Sequence, residues 1–196
     1  MMIMIMIMIT PISTTRSPSH TVDTNTQFIK TSCGITSYPD LCFTTLSSYA
    51  SEVQNSPKLL ATVALSETLK TVRFTSTAMS NMSKNRQDLT AREAEALSDC
   101  VEELGDSVEE LHRSIEEMGT DKKKNDGSDF ELRMSDIKTW VSAALTDEDT
   151  CVDGFSDKSM DGSEIKSAVR EHIVNVAHMT SNALALVNHY ALLHSD

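Results

Sequence analysis

The chain has 196 residues, and its 29 acidic and 17 basic side chains give it a formal net charge of −12. With only 6 Gly and 4 Pro, turn residues are too scarce for a barrel or sandwich of many short strands, so the composition favours an all-helical chain. The acidic balance argues against a general binder of nucleic-acid phosphates, and we expect no nucleic-acid partner.

The N-terminal segment is unusual in composition. Residues 1–9, MMIMIMIMI, are apolar and uncharged, and they are far fewer than the roughly 20 residues that span a bilayer. They fit the apolar region of a secretory signal, although the positive charge that normally precedes it is missing. Residues 10–26 are rich in Ser, Thr and Pro. We predict a signal peptide and a loose arm over residues 1–26 and no membrane partner; a low-complexity leader without function is the alternative.

The four cysteines favour an oxidising, extracellular compartment. Their spacing fits no zinc motif, and three disulfide pairings are possible. Cys33 and Cys42 are the local choice because Pro39 and its neighbours offer a turn between them, which leaves Cys100 with Cys151. Loop closure would then contribute about 2.7 kcal/mol for the short loop and about 4 kcal/mol for the long one. The alternative is four buried thiols in a cytosolic protein.

The first long amphipathic segment predicts a helix over residues 57–83, with Pro57 in its first turn. Its stripe comprises Leu65, Leu69, Val72, Ser76 and Met79. The triplet 81–83 is a glycosylation sequon, so Asn81 is a candidate glycosylation site of a glycoprotein.

The clearest periodicity predicts one helix from near Thr90 to Gly119, where Thr90 and Glu93 form a capping box. Its apolar seam follows heptad steps through Ala94, Leu97, Val101, Leu104, Val108, Leu111, Ile115 and Met118. Acidic side chains cover the opposite face, and residues 88–119 carry 11 acidic but only 2 basic residues. Such a charge run is usually a solvated face, with a docking surface as the alternative.

Two further helices complete the set. One spans residues 130–150, and the other is C-terminal with Ser163 as its cap and a stripe through Val169, His172, Val176, Met179, Ala183, Leu186, Tyr190 and Leu193. Four such helices bury their stripes economically as an antiparallel four-helix bundle, predicted over residues 56–196. Residues 27–55 are too few for their own core and are predicted to form a helical hairpin attached to it. An intermolecular coiled coil through the heptad seam is the rival.

The chain has no complete catalytic or metal-binding motif. Glu109 and His112 make one Glu-x-x-His unit, whereas a di-iron bundle needs two and further inward glutamates. His172 on its apolar stripe is interpreted as a core or boundary histidine rather than a base. The acidic triplet 147–149 is interpreted as a helix end and loop. We therefore predict that the chain is not an enzyme and uses no cofactor and no metal.

Several stretches match a known family. Residues 28–33 (FIKTSC) and 38–42 (YPDLC) look like the opening of the plant invertase inhibitor and pectin methylesterase inhibitor family. The most specific stretch is 140–155, WVSAALTDEDTCVDGF. Residues 97–100 (LSDC) and 181–186 (SNALAL) complete the resemblance, which covers about residues 27–193.

The resemblance implies a helical hairpin followed by a four-helix bundle, with first-to-second and third-to-fourth cysteine pairing. It also implies a secreted, non-catalytic protein of the plant cell wall (the apoplast) that inhibits a carbohydrate-active enzyme. The stretches favour the pectin methylesterase inhibitor branch, because the Pro-Lys-Phe segment associated with invertase inhibitors is replaced by residues 155–158, FSDK. Inhibition of cell-wall or vacuolar invertase is the alternative.

For the mechanism, the family resemblance implies a complex of about 1:1 in which the bundle covers the pectin-binding cleft of the esterase. Glu102, Asp106 and Thr150 match contact positions of the family by their placement relative to the cysteines. Glu102 and Asp106 lie one helical turn apart, so they can present two acceptors to polar or cationic groups. We expect the free protein to be a monomer.

Overall fold

The computed structural model describes residues 18–86, 88–120 and 127–194, with side chains from residue 24 onward and, after the second gap, from residue 129. This part of the chain contains helices and no strands, which confirms the predicted all-helical class. The α-helices are α1 (Pro18–Cys33), α2 (Pro39–Leu46), α3 (Ala50–Val53), α4 (Pro57–Asn85), α5 (Ala91–Gly119), α6 (Gly127–Asp153) and α7 (Glu164–Leu192). Short 3₁₀ turns lie at Ser47–Tyr49 and Lys158–Met160.

Helices α4 to α7 form the bundle. Each packs against two neighbours, in the order α4, α5, α6, α7 and back to α4. Helices α5 and α6 run antiparallel, because residues further along α5 meet residues earlier in α6: Cys100 bonds to Cys151, and Ser107 binds Glu148. Helices α6 and α7 also run antiparallel, since Phe130 packs on Tyr190 whereas Glu148 accepts from Thr180. The core is a single cluster of buried apolar side chains drawn from all four helices and the hairpin.

Three bundle helices begin with a hydroxyl side chain that accepts a hydrogen bond from a free backbone N–H group of the first turn. The caps are Ser56 for the N–H of Leu59, Thr90 for that of Glu93, and Ser163 for that of Lys166. Glu93 returns the bond by accepting from the backbone N–H of Thr90 at 2.8 Å, which completes the predicted capping box. The predicted cap at Ser163 is also confirmed.

The heptad seam of α5 is buried unevenly. Leu97, Leu104, Leu111 and Met118 are fully buried, whereas Val101, Val108 and Ile115 are partly buried and Ala94 is exposed. On the side facing α6, the small residues Cys100, Ser107 and Ser114 are buried instead. Small side chains at seven-residue spacing let α6 approach closely, and the Cα atoms of Cys100 and Cys151 lie 4.4 Å apart. The buried stripe of α5 is therefore displaced toward α6.

The hairpin comprises α1 to α3 and packs against both α4 and α7. On the α4 side, the hydroxyl group of Tyr49 donates to Oε1 of Glu67. A disulfide joins Cys33 at the end of α1 to Cys42 in α2. The backbone N–H of Tyr38 donates to Oδ1 of Asn182 at 3.0 Å, and Nδ2 of Asn182 donates to the carbonyl of Tyr38 at 2.9 Å. The ring of Tyr38 stacks on His178 with 3.5 Å between centroids. These contacts hold the hairpin against α7.

One sequence prediction changes at the start of the described chain. Helix α1 begins at Pro18, inside the segment 1–26 predicted as signal peptide and loose arm; Pro at the start of a helix has its φ angle preset. Residues 1–17 lie outside the described residues, so the signal peptide stays a prediction. Of the described helices, none is long and apolar enough to cross a membrane.

The stripe of α7 differs from its prediction at two positions. His172 is exposed rather than a core or boundary residue, because the buried stripe runs from Val169 to Ile173 and Val176 and leaves His172 beside it. Leu193 is 52% exposed because it follows the last helical residue. The remaining predicted positions of this stripe are buried.

Candidate partner-binding surface

A row of carboxylates follows the outer face of α5. Glu95, Asp99, Glu102 and Asp106 are all exposed, and their spacing of four, three and four residues places them one above another on the helix surface. We call these four residues the acidic ridge. Within the described ranges, none of the four carboxylates has an ion-pair partner. The ridge therefore presents unneutralised negative charge in a fixed line.

The second half of α5 is different. Arg113 Nε contacts Glu109 Oε1 at 3.1 Å, and His112 Nδ1 lies 3.7 Å from Glu116 Oε2. Both pairs are i,i+4 contacts along the exposed surface, the arrangement that ordinarily stabilises a solvated helix. The same two contacts account for Glu109 and His112, the single Glu-x-x-His unit. Among the residues with described positions, no group of three or more His, Cys, Asp or Glu side chains is placed to hold a metal ion.

A depression of about 370 Å³ lies beside the ridge, between α5 and the C-terminal end of α6. Glu102 and Thr150 both line it, and the Cys100–Cys151 disulfide forms part of its wall. Asp106 is exposed one turn further along α5 and is not part of the lining. The fold thus brings Glu102 and Thr150 to one place and sets Asp106 beside it.

The depression is electronegative for two reasons. Asp99, Glu103 and Asp153 line it together with Glu102, and the C-terminal end of α6 adds the negative end of a helix dipole. Burial raises the pKa of Glu103 above its ordinary value, and the neighbouring Asp147 and Asp106 raise it further. A cationic group entering the depression would relieve this repulsion.

The hydroxyl group of Thr150 is oriented by its own helix. Its Oγ1 donates to the carbonyl oxygen of Thr146 at 2.8 Å, so toward solvent it offers lone pairs and acts as an acceptor. Because the next residue, Cys151, is covalently joined to α5, the position of Thr150 relative to Glu102 is fixed. The three residues matched by family resemblance are therefore all exposed acceptors on one side of the bundle.

A pair of carboxyl groups joins α5 to α6 next to the ridge. Burial is the main cause that raises the pKa of Glu110 to about 7, and the negative charge of Asp147 contributes to the same rise. The pKa of Asp147 is also raised, mainly by burial. Glu110 Oε2 and Asp147 Oδ2 are both buried with no hydrogen-bond partner among the described residues, so each carboxyl group disfavours the ionisation of the other across the helix interface.

Glu148 is the polar residue that the sequence prediction misplaced. The triplet 147–149 was expected to lie in a helix end and loop, but α6 continues to Asp153 and Glu148 has no exposed surface. Its Oε1 accepts hydrogen bonds from Ser107 and Thr180, each at 2.9 Å. The signal was present in the sequence, because Glu148 continues the apolar stripe of Val141 and Ala144 in helical steps.

The remaining predicted sites are the two disulfides and the glycosylation sequon. Disulfides join Cys33 to Cys42 and Cys100 to Cys151, with Cα–Cα distances of 5.6 and 4.4 Å. Asn81 is exposed near the end of α4, and its glycosylation stays a prediction.

Comparison with known proteins identifies the family. Residues 27–186 match the family described as plant invertase/pectin methylesterase inhibitor. The chain is 49% identical over 172 residues to the "21 kDa protein" of Daucus carota, covering 86% of each chain. It is 47% identical over 175 residues to "Pectinesterase inhibitor 10" of Arabidopsis thaliana, covering 89% of this chain and 54% of that protein.

A solved structure shares the fold. The crystal structure of mutant form A of a pectin methylesterase inhibitor from Arabidopsis superimposes with a TM-score of 0.64 and 20% sequence identity, covering 82% of this chain and 95% of that one. The sequence matches and the shared bundle agree. This chain belongs to the plant invertase/pectin methylesterase inhibitor family, a family of inhibitors and not of catalysts.

Proposed function

We propose that this protein is a secreted inhibitor of plant pectin methylesterase that forms a complex of about 1:1 and covers the pectin-binding cleft of the enzyme. The observation that carries the proposal is the acidic ridge beside the electronegative depression. Relatives named pectinesterase inhibitors indicate the class of partner. Unneutralised carboxylates in a fixed row are what an enzyme surface with cationic side chains would recognise.

In the proposed complex, Glu102, Asp106 and Thr150 bind the esterase as hydrogen-bond acceptors. Glu102 and Asp106 accept from cationic side chains, and the lone pairs of Thr150 accept from a neutral or charged donor. The ridge lies on a regular helix, and the Cys100–Cys151 bond ties it to α6. The surface therefore needs little reorganisation on binding, which lowers the entropic cost of association.

Inhibition follows from exclusion, since no residue of the inhibitor has to react. Pectin is a long polymer and must lie along an open cleft of the enzyme. A bundle whose helices are 27 to 29 residues long is about 40 Å in length. A body of that size lying across the cleft would prevent the polymer from entering.

The proposed location is the apoplast. Both disulfides fit an oxidising compartment, the apolar residues 1–9 fit a secretory signal, and Asn81 is exposed for glycosylation. The free protein is proposed to be a monomer because the apolar stripes of α4 to α7 are buried against one another.

The direct experiment measures both candidate activities with the same purified protein. We expect it to abolish methanol release from pectin by a plant pectin methylesterase near equimolar ratio between pH 5 and 7. Cell-wall and vacuolar invertases, assayed by sucrose hydrolysis, should be unaffected. Inhibition of an invertase without inhibition of the esterase would replace the proposal by its alternative.

A second experiment tests the ridge itself. Glu102→Gln/Asp106→Asn should raise the inhibition constant by about tenfold to a hundredfold and reduce its dependence on salt, because two long-range attractions are lost. The matched control is Glu116→Gln/Glu117→Gln, which removes the same charge near the other end of α5. Equal effects of the two pairs would show that only net charge matters and would contradict a specific role for Glu102 and Asp106.

A further inference from the structure

A pocket of about 230 Å³ lies between the C-terminal end of α6 and the first two turns of α7. We call it the α6–α7 pocket. Its floor is apolar, because Phe155 and Val169 line it and both side chains are buried. Its rim is polar and includes the exposed residues Asp153, Ser156 and Arg170. An apolar surface with a few polar groups that fix orientation is the usual composition of a small-molecule site.

The two sides of the α6–α7 pocket differ in charge. On the side of α7, Lys166 and Arg170 both line the pocket and are four residues apart, a spacing at which like charges repel each other. Nζ of Lys166 contacts Asp161 Oδ1 at 2.6 Å, whereas the guanidinium group of Arg170 has no ion-pair partner among the residues that the structure describes. On the side of α6, Asp153 presents carboxylate oxygens. The pocket therefore has an unpaired cationic donor on one side and an acceptor on the other.

This arrangement indicates the chemistry of a ligand. A guanidinium group binds a carboxylate through two parallel hydrogen bonds. Asp153 repels a simple anion but accepts hydrogen bonds from hydroxyl groups, and the hydroxyl group of Ser156 can donate or accept. The volume lies below the roughly 300–1,000 Å³ of sites that hold drug-sized molecules. The pocket thus fits a small ring with a carboxylate on one side and hydroxyl groups on the other, which is the structure of a uronic acid.

We propose that the α6–α7 pocket binds one uronate residue, whose carboxylate pairs with Arg170 while its hydroxyl groups donate to Asp153 and the C–H face of its ring packs on the apolar floor. The inference rests on the proposed function only for the source of the sugar. Pectin is a polymer of galacturonate methyl esters, and hydrolysis of each ester gives methanol and a free galacturonate carboxylate. The pocket holds the inhibitor on demethylated pectin, through helices other than the one that carries the acidic ridge.

Binding is tested with the full chain and without any esterase. The probe is methyl α-D-galactopyranosiduronate, titrated into ¹⁵N-labelled protein and followed by amide NMR shifts. We expect the signals of residues 152–156 and 166–170 to move, with a dissociation constant on the order of 1 mM. The matched neutral probe is the methyl ester of the same sugar. Because the ester cannot pair with a guanidinium group as an ion, it should bind about tenfold more weakly or worse.

Two substitutions identify the group that recognises the carboxylate. Arg170→Gln should raise the dissociation constant of the uronate about tenfold and leave that of the ester unchanged. The matched control is Arg73→Gln, which removes the same charge from an exposed position of α4 that does not line the pocket. Binding of the uronate to this control should equal binding to the wild type.

The outcomes are separable. Unmoved signals at a probe concentration well above the expected constant would overturn the inference and leave the proposed function standing. Equal binding of uronate and ester, or undiminished binding to Arg170→Gln, would also overturn it, because the carboxylate would then not be recognised. If the wild type bound no uronate and Arg170→Gln inhibited the esterase less well, the pocket would instead receive an acidic side chain of the enzyme. Uronate binding by a wild-type protein that inhibits no esterase would overturn the proposed function alone.

Discussion

The carboxyl group of Glu148 lies between α5, α6 and α7 with no exposed surface. Ser107 and Thr180 donate to its Oε1, and Oε2 has no hydrogen-bond partner among the described side chains. Burial raises the pKa of Glu148 to about 8, and the nearby Asp149 and Asp147 contribute in the same direction. Glu148 is therefore mainly neutral at mildly acidic pH.

This raised pKa predicts how stability depends on pH. The ordinary pKa of the unfolded group is 4.5 and the folded pKa is about 8, so the folded state binds more protons between these values. The stabilising contribution is complete below about pH 4.5 and is lost as the pH rises toward 8. Glu148→Gln keeps the volume and a hydrogen-bond acceptor but cannot ionise. Its free energy of unfolding, measured with urea, should therefore depend less on pH, and the fall between pH 5 and 8 should be smaller than in the wild type by a few kcal/mol.

The comparison needs one further variant because Glu110 also has a raised pKa, of about 7. The contribution of Glu110 has the same sign. Glu148→Gln should therefore leave a smaller dependence of the free energy of unfolding on pH, and adding Glu110→Gln should reduce that remainder. If Glu148→Gln retained the full wild-type slope, the buried carboxyl group would not be the source of the pH dependence.

The burial of Glu148 could not be predicted from the periodicity of apolar residues in α6 alone. The apolar stripe of α6, formed by Met134, Ile137, Val141 and Ala144, is buried. The same steps reach Glu148, but an acidic residue flanked by two aspartates looks like solvated surface. Only the opposing hydroxyl groups of Ser107 and Thr180 make its burial acceptable, and no pattern within α6 reveals them.

At the scale of elements, helix positions were predicted well and helix interfaces less well. The capping box at Thr90 and the cap at Ser163 are local signals, and both are confirmed. The heptad seam of α5 correctly predicted the burial of Leu97, Leu104, Leu111 and Met118, but not that of Ser107 and Ser114 on the side of α6. Which residues of α5 are buried on that side depends on which helix is adjacent and how closely it packs. The periodicity of one helix contains no information on either.

The hairpin provides an element-scale prediction because Asn182 alone supplies two hydrogen bonds to the backbone of Tyr38. Asn182→Ala should lower the free energy of local opening of the hairpin by about 1–2 kcal/mol. Amide hydrogen exchange at residues 35–46 should therefore be about tenfold faster, with α5 and α6 unchanged. Asn188→Ala, at an exposed position of α7, is the control. Equal acceleration in every helix would contradict local anchoring and indicate a loss of global stability.

At the scale of the whole molecule, the net charge of −12 has a specific location. Composition alone did not separate a solvated face from a docking surface, because it does not show which carboxylates are paired. The structure divides α5 into the acidic ridge, which has no ion pair among the described residues, and a second half with the Glu109–Arg113 and His112–Glu116 contacts. The proximity of Thr150 to Glu102 depends on how α6 crosses α5, which is a property of the assembled bundle.

The two disulfides stabilise different parts of the molecule. Cys33 and Cys42 are 9 residues apart and close the hairpin, whereas Cys100 and Cys151 are 51 residues apart and join two bundle helices beside the ridge. Loop-closure entropy gives about 2.7 kcal/mol for the short loop and about 4 kcal/mol for the long one. The two disulfides should therefore stabilise the fold by similar amounts but differ in their effect on esterase binding.

The whole-molecule prediction compares the two cysteine pairs, each replaced by alanine. Cys100→Ala/Cys151→Ala should lower the free energy of unfolding by about 4 kcal/mol and also weaken esterase inhibition, because Thr150 is no longer held beside Glu102. Cys33→Ala/Cys42→Ala should lower it by about 2.7 kcal/mol and leave the inhibition constant near the wild-type value, since the hairpin packs mainly against α4 and α7. Urea unfolding and methanol-release assays on both variants, at a temperature where each remains folded, measure the two effects. Equal loss of inhibition in both would mean that binding follows overall stability, and the depression would then have no special dependence on its disulfide.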